Sequence, residues 1–254
     1  MHHRVSLLSI GIGVVIALFE SDYTVAQSRT RWGVQAGGGI GWVRLQGQAP
    51  YATSARPTWQ AGLLAETHLS PHWSLQYGLG GALKGFRLQE AYSYDATDEL
   101  GRPVPGYYQS QDAYRLTYLQ AHALLVYRPS AADNGWQLLL GGYAGMGVRG
   151  RYRYRYTDTW GNLTRNAAGR HRLVYGYTPG SGGGFGILGS SPSADIRPFD
   201  TGLQVGSGYS WRNLQVQAVY QIGLLPLLPN YLARQLEHQA YLQGTSVTLS
   251  YFLR

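Results

Sequence analysis

Arginine and tyrosine alternate over residues 151–156, inside the segment GVRGRYRYRYTDTW (147–160). Guanidinium groups pair with phosphate oxygens and aromatic rings stack on nucleobases, so this segment has the residue types of a polyanion or nucleic-acid site. The same alternation is typical of a β-strand, in which successive side chains point to opposite faces. The choice between the two interpretations depends on where the chain resides and on the elements around the segment.

The composition indicates a β structure with one polar and one apolar face. Of 254 residues only 13% are charged, while glycine (35) and tyrosine (21) are abundant. The net charge of +8 is nearly all arginine, with Lys84 the only lysine, and it suits an anionic partner such as nucleic acid or lipid A phosphates. The chain has no cysteine, which excludes disulfides and thiolate metal sites.

The first residues predict export from the cytoplasm. A short basic start is followed by an apolar run from Val5 to Phe19 and by small residues that end at Ala26. This is the pattern of a secretory signal peptide (1–26), because the apolar run is shorter than the ~20 residues of a membrane-spanning helix. An exported protein is not expected to bind nucleic acid.

Eight segments of period-2 hydrophobicity follow. They are 31–45, 57–69, 73–86, 113–129, a strand that starts at residue 136, 199–209, 214–224 and 244–254. The connections are alternately short and long, the longest being about 151–198. The pattern predicts an all-β domain (27–254), an eight-stranded antiparallel up-and-down transmembrane β-barrel. We expect it in a bacterial outer membrane, with short periplasmic turns, long extracellular loops and both termini periplasmic.

The fifth strand sets the expected orientation of the Arg/Tyr segment. Leu138, Leu140 and Met146 place the even positions on the outer face. Continued without interruption, this phase places the alternate tyrosines outward and the arginines at the mouth of the lumen. The arginines are then candidate contacts for lipopolysaccharide phosphates or another anion: Arg149, Arg151, Arg153 and Arg155. A solvated strand extension without a ligand is the alternative.

The lumen and the loops offer further candidates. Glu66, Lys84, His122 and Asp200 are predicted to face inward. They would form a buried polar network that fills the barrel or, alternatively, an ion-conducting path. His171, Ser181, Asp158 and Asp195 fall in the long loop without a Gly-x-Ser-x-Gly motif, and His68 and His72 lack helical ligand spacing. We therefore predict no catalytic, cofactor-binding or metal site.

Several segments resemble the PorT-like outer-membrane β-barrel family of Bacteroidota. They are SLQYGLGGALKGFRL, YRLTYLQAHALLVYRP, WQLLLGGYAGMGV, RPFDTGLQVGSGYSWRNLQVQAVYQIGLLPLLPN and SVTLSYFLR. The chain departs from the family at 121–123, where relatives often have an acidic residue and a proline. The resemblance implies an outer-membrane barrel, and some relatives serve gliding motility or type IX protein secretion.

The sequence as a whole favours a non-enzymatic structural or interaction barrel, an accessory to protein secretion or surface assembly. Its expected partners are outer-membrane lipid, lipopolysaccharide and other envelope proteins, with the oligomeric state left open. A narrow transport channel and a lipid-modifying enzyme with a site at the rim are the alternatives.

Overall fold

The computed structural model describes residues 30–47, 51–98, 100–130, 134–175, 195–227 and 238–253. The predicted signal peptide, Ser181 and the glycine-rich stretch 180–186 lie outside these residues. None of the described residues belongs to a helix long and apolar enough to cross a membrane.

Every regular element in the described chain is a strand. The strands are β1 (Thr30–Gly47), β2 (Tyr51–His68), β3 (Trp73–Thr97), β4 (Pro103–Tyr127), β5 (Gly135–Trp160), β6 (Leu163–Tyr175), β7 (Asp195–Ile196), β8 (Phe199–Trp211), β9 (Leu214–Pro226) and β10 (His238–Phe252).

Eight of these strands close into a ring. Its order is β1-β2-β3-β4-β5-β8-β9-β10, and β10 pairs with β1 from Gly33↔Phe252 to Gly47↔His238. All neighbours in the ring are antiparallel. This closed antiparallel ring confirms the predicted eight-stranded up-and-down barrel. Because the ring is closed, none of its strands has an unpaired edge.

The outer face carries an apolar band. On β3 the side chains of Trp73, Leu75 and Leu79 are exposed, whereas Ser74 and Gln76 between them are buried inside the ring. The band runs on β3 from Trp73 to Leu83, which corresponds to the ~25 Å of a transmembrane barrel. Polar side chains inside and apolar ones outside are the reverse of a soluble barrel.

The two ends of the ring differ. At one end, here called the turn end, short turns join β2 to β3, β4 to β5 and β8 to β9, and Thr30 and Phe252 lie there too. At the other, the extended end, β3 and β4 stay paired as far as Thr97↔Pro103. The described parts of the segments expected to be long loops after the third and fifth predicted strands are therefore largely strand.

β5 changes its partner at the extended end. It pairs with β8 as far as Met146↔Phe199, and from Gly150↔Leu173 onward with β6. β6 in turn pairs with the short parallel strand β7. β5 and β6 thus form a hairpin that projects beyond the ring while β4 supports its other side.

A β-bulge inverts the phase of β5 at this point. Tyr118 pairs with Gly147 and Thr117 with Arg149, so Val148 is an additional residue on β5. An extra residue shifts every later side chain to the opposite face. The predicted orientation of the Arg/Tyr segment was wrong for this reason: Tyr152 is 4% exposed and faces inward, and the four arginines Arg149, Arg151, Arg153 and Arg155 face outward.

The inward tyrosines belong to a hydrophobic core inside the extended end. Tyr114 stacks on Phe86 at 4.6 Å and lies 5.0 Å from Tyr152, as measured between ring centroids. Leu173 of β6 and Ile196 of β7 are buried in the same cluster. The projecting strands therefore pack against one another and do not rely on the membrane for their apolar contacts.

Candidate functional site

The turn end of the lumen is occupied by a buried ion cluster around Glu66, which is fully buried. Arg31 donates to Glu66 Oε2 at 2.9 Å, and Arg128 and Ser74 both donate to Glu66 Oε1. Arg128 also donates to Ser74 Oγ at 2.8 Å. The carboxylate is thereby paired and fully hydrogen-bonded, as a buried charge must be.

A layer of glutamines lies beside this cluster. Gln215 donates to Gln137 Oε1 at 2.7 Å, and Gln217 donates to Gln76 Oε1 at 2.8 Å. Gln217 is on β9 and Gln76 on β3, which are diametrically opposite strands of the eight-stranded ring. The second hydrogen bond therefore crosses the full width of the lumen.

An ion pair crosses the middle of the barrel. Lys84 Nζ on β3 lies 2.6 Å from Asp200 Oδ2 on β8, three positions further round the ring. The ammonium also lies 4.0 Å from the ring centroid of Tyr143, whose hydroxyl donates to Asp200 at 3.2 Å. The aromatic ring and the carboxylate together hold the single lysine of the chain in place.

The four residues predicted to form one lumen network are divided by the structure. Lys84 and Asp200 are in direct contact, whereas Glu66 belongs to the turn-end cluster. Glu66 lies opposite Gln76 of β3 in the strand register, and Gln76 is eight residues from Lys84. The Glu66 cluster and the Lys84–Asp200 ion pair are therefore about 25 Å apart along the strand. His122 is on the inner face of β4, where its ring covers Gly78 of β3.

Two acidic side chains face each other inside the extended end. Glu90 and Asp112 are both buried. Burial, reinforced by the charge of Asp112, raises the pKa of Glu90 to about 7. Burial raises the pKa of Asp112 to about 6, opposed by the hydroxyl of Tyr152 that donates to it at 3.1 Å.

Arginines crowd the outer face of the extended end. This surface, the arginine face, consists of Arg56 on β2, Arg87 on β3, Arg115 on β4, the four arginines of β5 (Arg149, Arg151, Arg153 and Arg155), and Arg170 and Arg172 on β6. The register aligns them in rows across the sheet. Arg151 pairs with Arg115 on one side and with Arg172 on the other, and Arg153 pairs with Arg170.

The rows place like charges side by side. Opposed side chains on neighbouring strands have Cβ atoms about 5 Å apart, and like charges at this separation destabilise a sheet. Within the described residues no carboxylate forms an ion pair with the arginine face. Burial lowers the pKa of Arg56, and the nearby guanidinium groups of Arg115, Arg87 and Arg153 lower it further.

A rigid tyrosine layer backs the arginine face. Tyr152, Tyr154 and Tyr156 stack in series along the inner side of β5, and the ring of His171 lies nearly parallel to that of Tyr154 at 5.5 Å. The alternation of arginine and tyrosine therefore builds both surfaces of one sheet. Sequence reasoning missed Arg56 and Arg87, which lie just outside the predicted strands, and Arg170 and Arg172, which lie in the predicted long loop, although the alternate spacing of the last two was an available signal. Arg115 lies within the predicted fourth strand, 113–129, but was not singled out.

The other polar candidates do not assemble into a catalytic or metal site in the described chain. His171 is stacked on tyrosine, and Asp158 accepts a hydrogen bond from Tyr94 at 2.6 Å. Nδ1 of His72 is hydrogen-bonded to the carbonyl oxygen of Arg128. Among the residues whose positions are described, no cluster of three metal-ligating side chains occurs.

Comparison with known proteins gives a family and distant structural neighbours. A search of curated proteins finds none that matches the sequence. The attachment invasion locus protein Ail of Yersinia pestis, solved with the heparin analogue sucrose octasulfate, is similar with a TM-score of 0.36 and 8% identity over 89% of this chain and 99% of that one. Neisserial surface protein A is similar with a TM-score of 0.34 and 9% identity, over 87% of this chain and 97% of that one.

The family model for the outer membrane protein beta-barrel domain matches residues 25–228. This match covers most of the chain and agrees with the closed ring, the polar lumen and the apolar outer band. The protein belongs to the outer membrane protein beta-barrel domain family.

Proposed function

We propose that this outer-membrane barrel is a non-conducting, non-enzymatic interaction protein whose extended end carries its contacts. In this proposal the extended end faces the cell exterior, and the turn end, with Thr30 and Phe252, faces the periplasm. Because several segments resemble the PorT-like family, we expect this interaction protein to be an accessory to protein secretion or surface assembly.

The filled lumen is the observation that carries the proposal. Hydrogen bonds cross between strands that are not neighbours in the ring, from Gln217 to Gln76 and from Lys84 to Asp200. Beyond them, toward the extended end, the hydrophobic cluster around Tyr114 closes the interior again. A barrel of eight strands has an interior that side chains alone can fill, so these layers leave little room for a conducting path.

Single-channel recording tests the closed lumen. The purified, folded protein in a planar lipid bilayer is expected to give no stable conductance steps at neutral pH. A porin of known conductance in the same bilayer serves as the positive control, because the Glu66 cluster and the hydrophobic cluster around Tyr114 would still close the lumen of a variant without the two crossing contacts. Stable steps from the unaltered protein would overturn the proposal and establish the channel alternative.

Co-purification tests the interaction role. The tagged protein is extracted from its native outer membrane in mild detergent, and associated proteins are identified by mass spectrometry. A shortened variant lacks 157–166 and joins Tyr156 to Ala167, which are cross-strand partners, through an Asn-Gly turn. Recovery of a stoichiometric envelope protein with the full chain and its loss with the shortened hairpin is the expected result. A full-length barrel recovered without any such protein would contradict an interaction role.

A further inference from the structure

We propose that the arginine face binds the phosphate groups of lipopolysaccharide in the outer leaflet around the barrel. This goes beyond the interaction role proposed above and rests on the same orientation of the barrel, with its extended end outward. The ligand is chemically an array of phosphates fixed at the surface of the hydrocarbon layer.

The crowded positive charge of the arginine face favours the binding of anions. Arg115, Arg151 and Arg172 lie side by side in one row across β4, β5 and β6. In the neighbouring row Arg153 lies opposite Arg170, and Arg87 of β3 is in the same row, separated from Arg153 by Ala113 of β4. Without an ion pair to any described carboxylate, these repulsions stand uncompensated within the described chain. Phosphate groups would convert them into charge-assisted hydrogen bonds, for which the guanidinium fork is well suited.

The height of the arginine face above the apolar band favours lipid phosphate over a soluble anion as its ligand. Leu83, at the upper limit of the apolar band, is in register with Thr117, which pairs with Arg149. The row of Arg115 and Arg151 is two residues further along the strands, about 7 Å from the edge of the band before strand tilt is considered. The headgroup layer extends roughly 5–8 Å beyond the hydrocarbon on each side. The lower arginines are therefore at the level of lipid phosphates, and the upper ones reach about 15 Å above the band.

The geometry around the lower row leaves it accessible. Arg149, Arg151 and Arg115 border an open depression of about 250 Å³, together with Leu83 and Thr117. Gly85 lies opposite Arg115 in the same row and contributes no side chain. A phosphate seated here would contact arginine from two strands at once and would have apolar surface directly below it for an acyl chain. The stacked tyrosines pack along the other side of β5, so the backbone that carries these arginines is supported before binding.

The test compares two triple variants with the same loss of charge. The first is Arg115→Gln/Arg151→Gln/Arg153→Gln on the arginine face. The control is Arg102→Gln/Arg165→Gln/Arg212→Gln, which removes exposed arginines outside the arginine face. Arg165 is an internal control because it is on the same hairpin but pairs with Asp158 on the tyrosine side. Folding of each variant is verified by the heat-dependent shift of its band in SDS gels.

Binding is measured by native mass spectrometry of the folded barrel in detergent, titrated with purified lipopolysaccharide, with the same lipopolysaccharide after removal of its phosphates, and with a soluble sulfated polysaccharide. The unaltered protein and the control are expected to prefer the phosphorylated form. The first triple variant should lose affinity for it by roughly tenfold or more, since one charged hydrogen bond contributes about this factor.

Three outcomes would overturn the proposal. Equal binding of the phosphorylated and dephosphorylated forms would show that phosphate is not recognised. An equal loss in both triple variants would show only a general effect of charge. Tighter binding of the soluble polysaccharide would assign the arginine face to a soluble anion.

If the first triple variant does not fold, two single variants provide the same comparison. Arg151→Gln removes the charge, and Arg151→Lys keeps the charge but removes the guanidinium fork. None of these outcomes depends on the conductance of the lumen. The phosphate-binding proposal and the proposal of a closed lumen can therefore be disproved independently.

Discussion

Arg151 lies directly opposite Arg115 on the outer face of two paired strands, although residues of like charge at such positions repel. The contact is a consequence of the bulge at Val148, because a strand in which residue 148 continued the regular alternation would place Tyr152 on the outer face and Arg151 on the inner one. The bulged conformation of β5 at this residue therefore decides whether the arginines face lipid and solvent or the barrel interior.

Cysteine labelling will report the two faces of β5. The chain has no cysteine of its own, so a single replacement gives an unambiguous signal. We expect Arg153→Cys to react rapidly with a water-soluble maleimide in the folded protein, and Tyr152→Cys to react slowly because its position is buried. Rapid reaction at position 152 with protection at 153 would show that the bulge is absent.

The same chemistry distinguishes the two ends of the barrel. In intact cells Arg153→Cys is expected to react with an impermeant maleimide, and Arg212→Cys in the β8–β9 turn is expected to react only after the outer membrane is permeabilised. Both positions are exposed in the structure, so a difference between them reflects sidedness and not burial. Reaction of Arg212→Cys alone in intact cells would reverse the proposed orientation.

The ion pair across the lumen predicts a sharp contrast between single and double variants. Lys84→Met leaves Asp200 as a buried unpaired carboxylate and should lower the free energy of unfolding by about 3–5 kcal/mol. Replacing both, Lys84→Met with Asp200→Leu, should recover most of this loss because no buried charge then remains. Urea unfolding of the barrel in lipid, followed by its gel shift, measures both. A double variant as unstable as the single one would contradict this account.

The extended end should lose stability as the pH rises. Burial, reinforced by their mutual repulsion, raises the pKa of Glu90 to about 7, and burial raises that of Asp112 to about 6, so the folded state binds more protons than the unfolded state above pH ~4. Stability is therefore highest at acidic pH, falls until the pH passes about 7, and is level above it. Tyr51 is paired with Glu90 and also faces this site, but as a phenol it stays protonated over that range.

Hydrogen exchange of the β3–β4 amides between pH 5 and pH 8, corrected for the intrinsic rate, will measure this dependence. Glu90→Gln/Asp112→Asn should abolish it. A wild-type profile that is level over this range, or one that persists in the double variant, would show that other groups are responsible.

Tyr152 should stabilise the hairpin more than the ring. Tyr152→Ala removes contacts with Tyr114 and the hydrogen bond to Asp112, and a loss of about 3–5 kcal/mol is expected for such a buried aromatic residue. Limited proteolysis should cut β5–β6 in this variant while the ring keeps its gel shift. Tyr156→Ala, nearer the tip and less buried, is the matched control, and equal sensitivity of the two would argue against a separate core.

The ring was predictable because its strands obey a simple rule. Side chains such as Leu75 and Gln76 alternate between lipid and a polar interior, and this period survives in the sequence without knowledge of the fold. The inward orientation of Lys84 and Asp200 followed from the same rule. Their contact did not, because the two are 116 residues apart and meet only through the order of strands round the ring.

The extended end was not predictable by that rule. Beyond the membrane both faces of a strand carry polar groups or tyrosine, as around Tyr92 and Tyr94, so the alternation no longer separates inside from outside. The bulge at Val148 has no marker in composition beyond its neighbouring glycines, and one inserted residue was enough to exchange the two faces of the Arg/Tyr segment.

β5 pairs first with β8 and then with β6, so the projecting β5–β6 hairpin lies outside the closed ring of the barrel. The ring uses β5 only up to Met146 on its β8 side, and the hairpin begins at Gly150 without adding a strand to the closed circle. Strand number sets the diameter of a barrel, and that number is the same whatever the length of β6. Insertions or deletions between Gly150 and Phe199 therefore leave the transmembrane ring unchanged, and the surface displayed above it can diversify independently of the part that must insert and close.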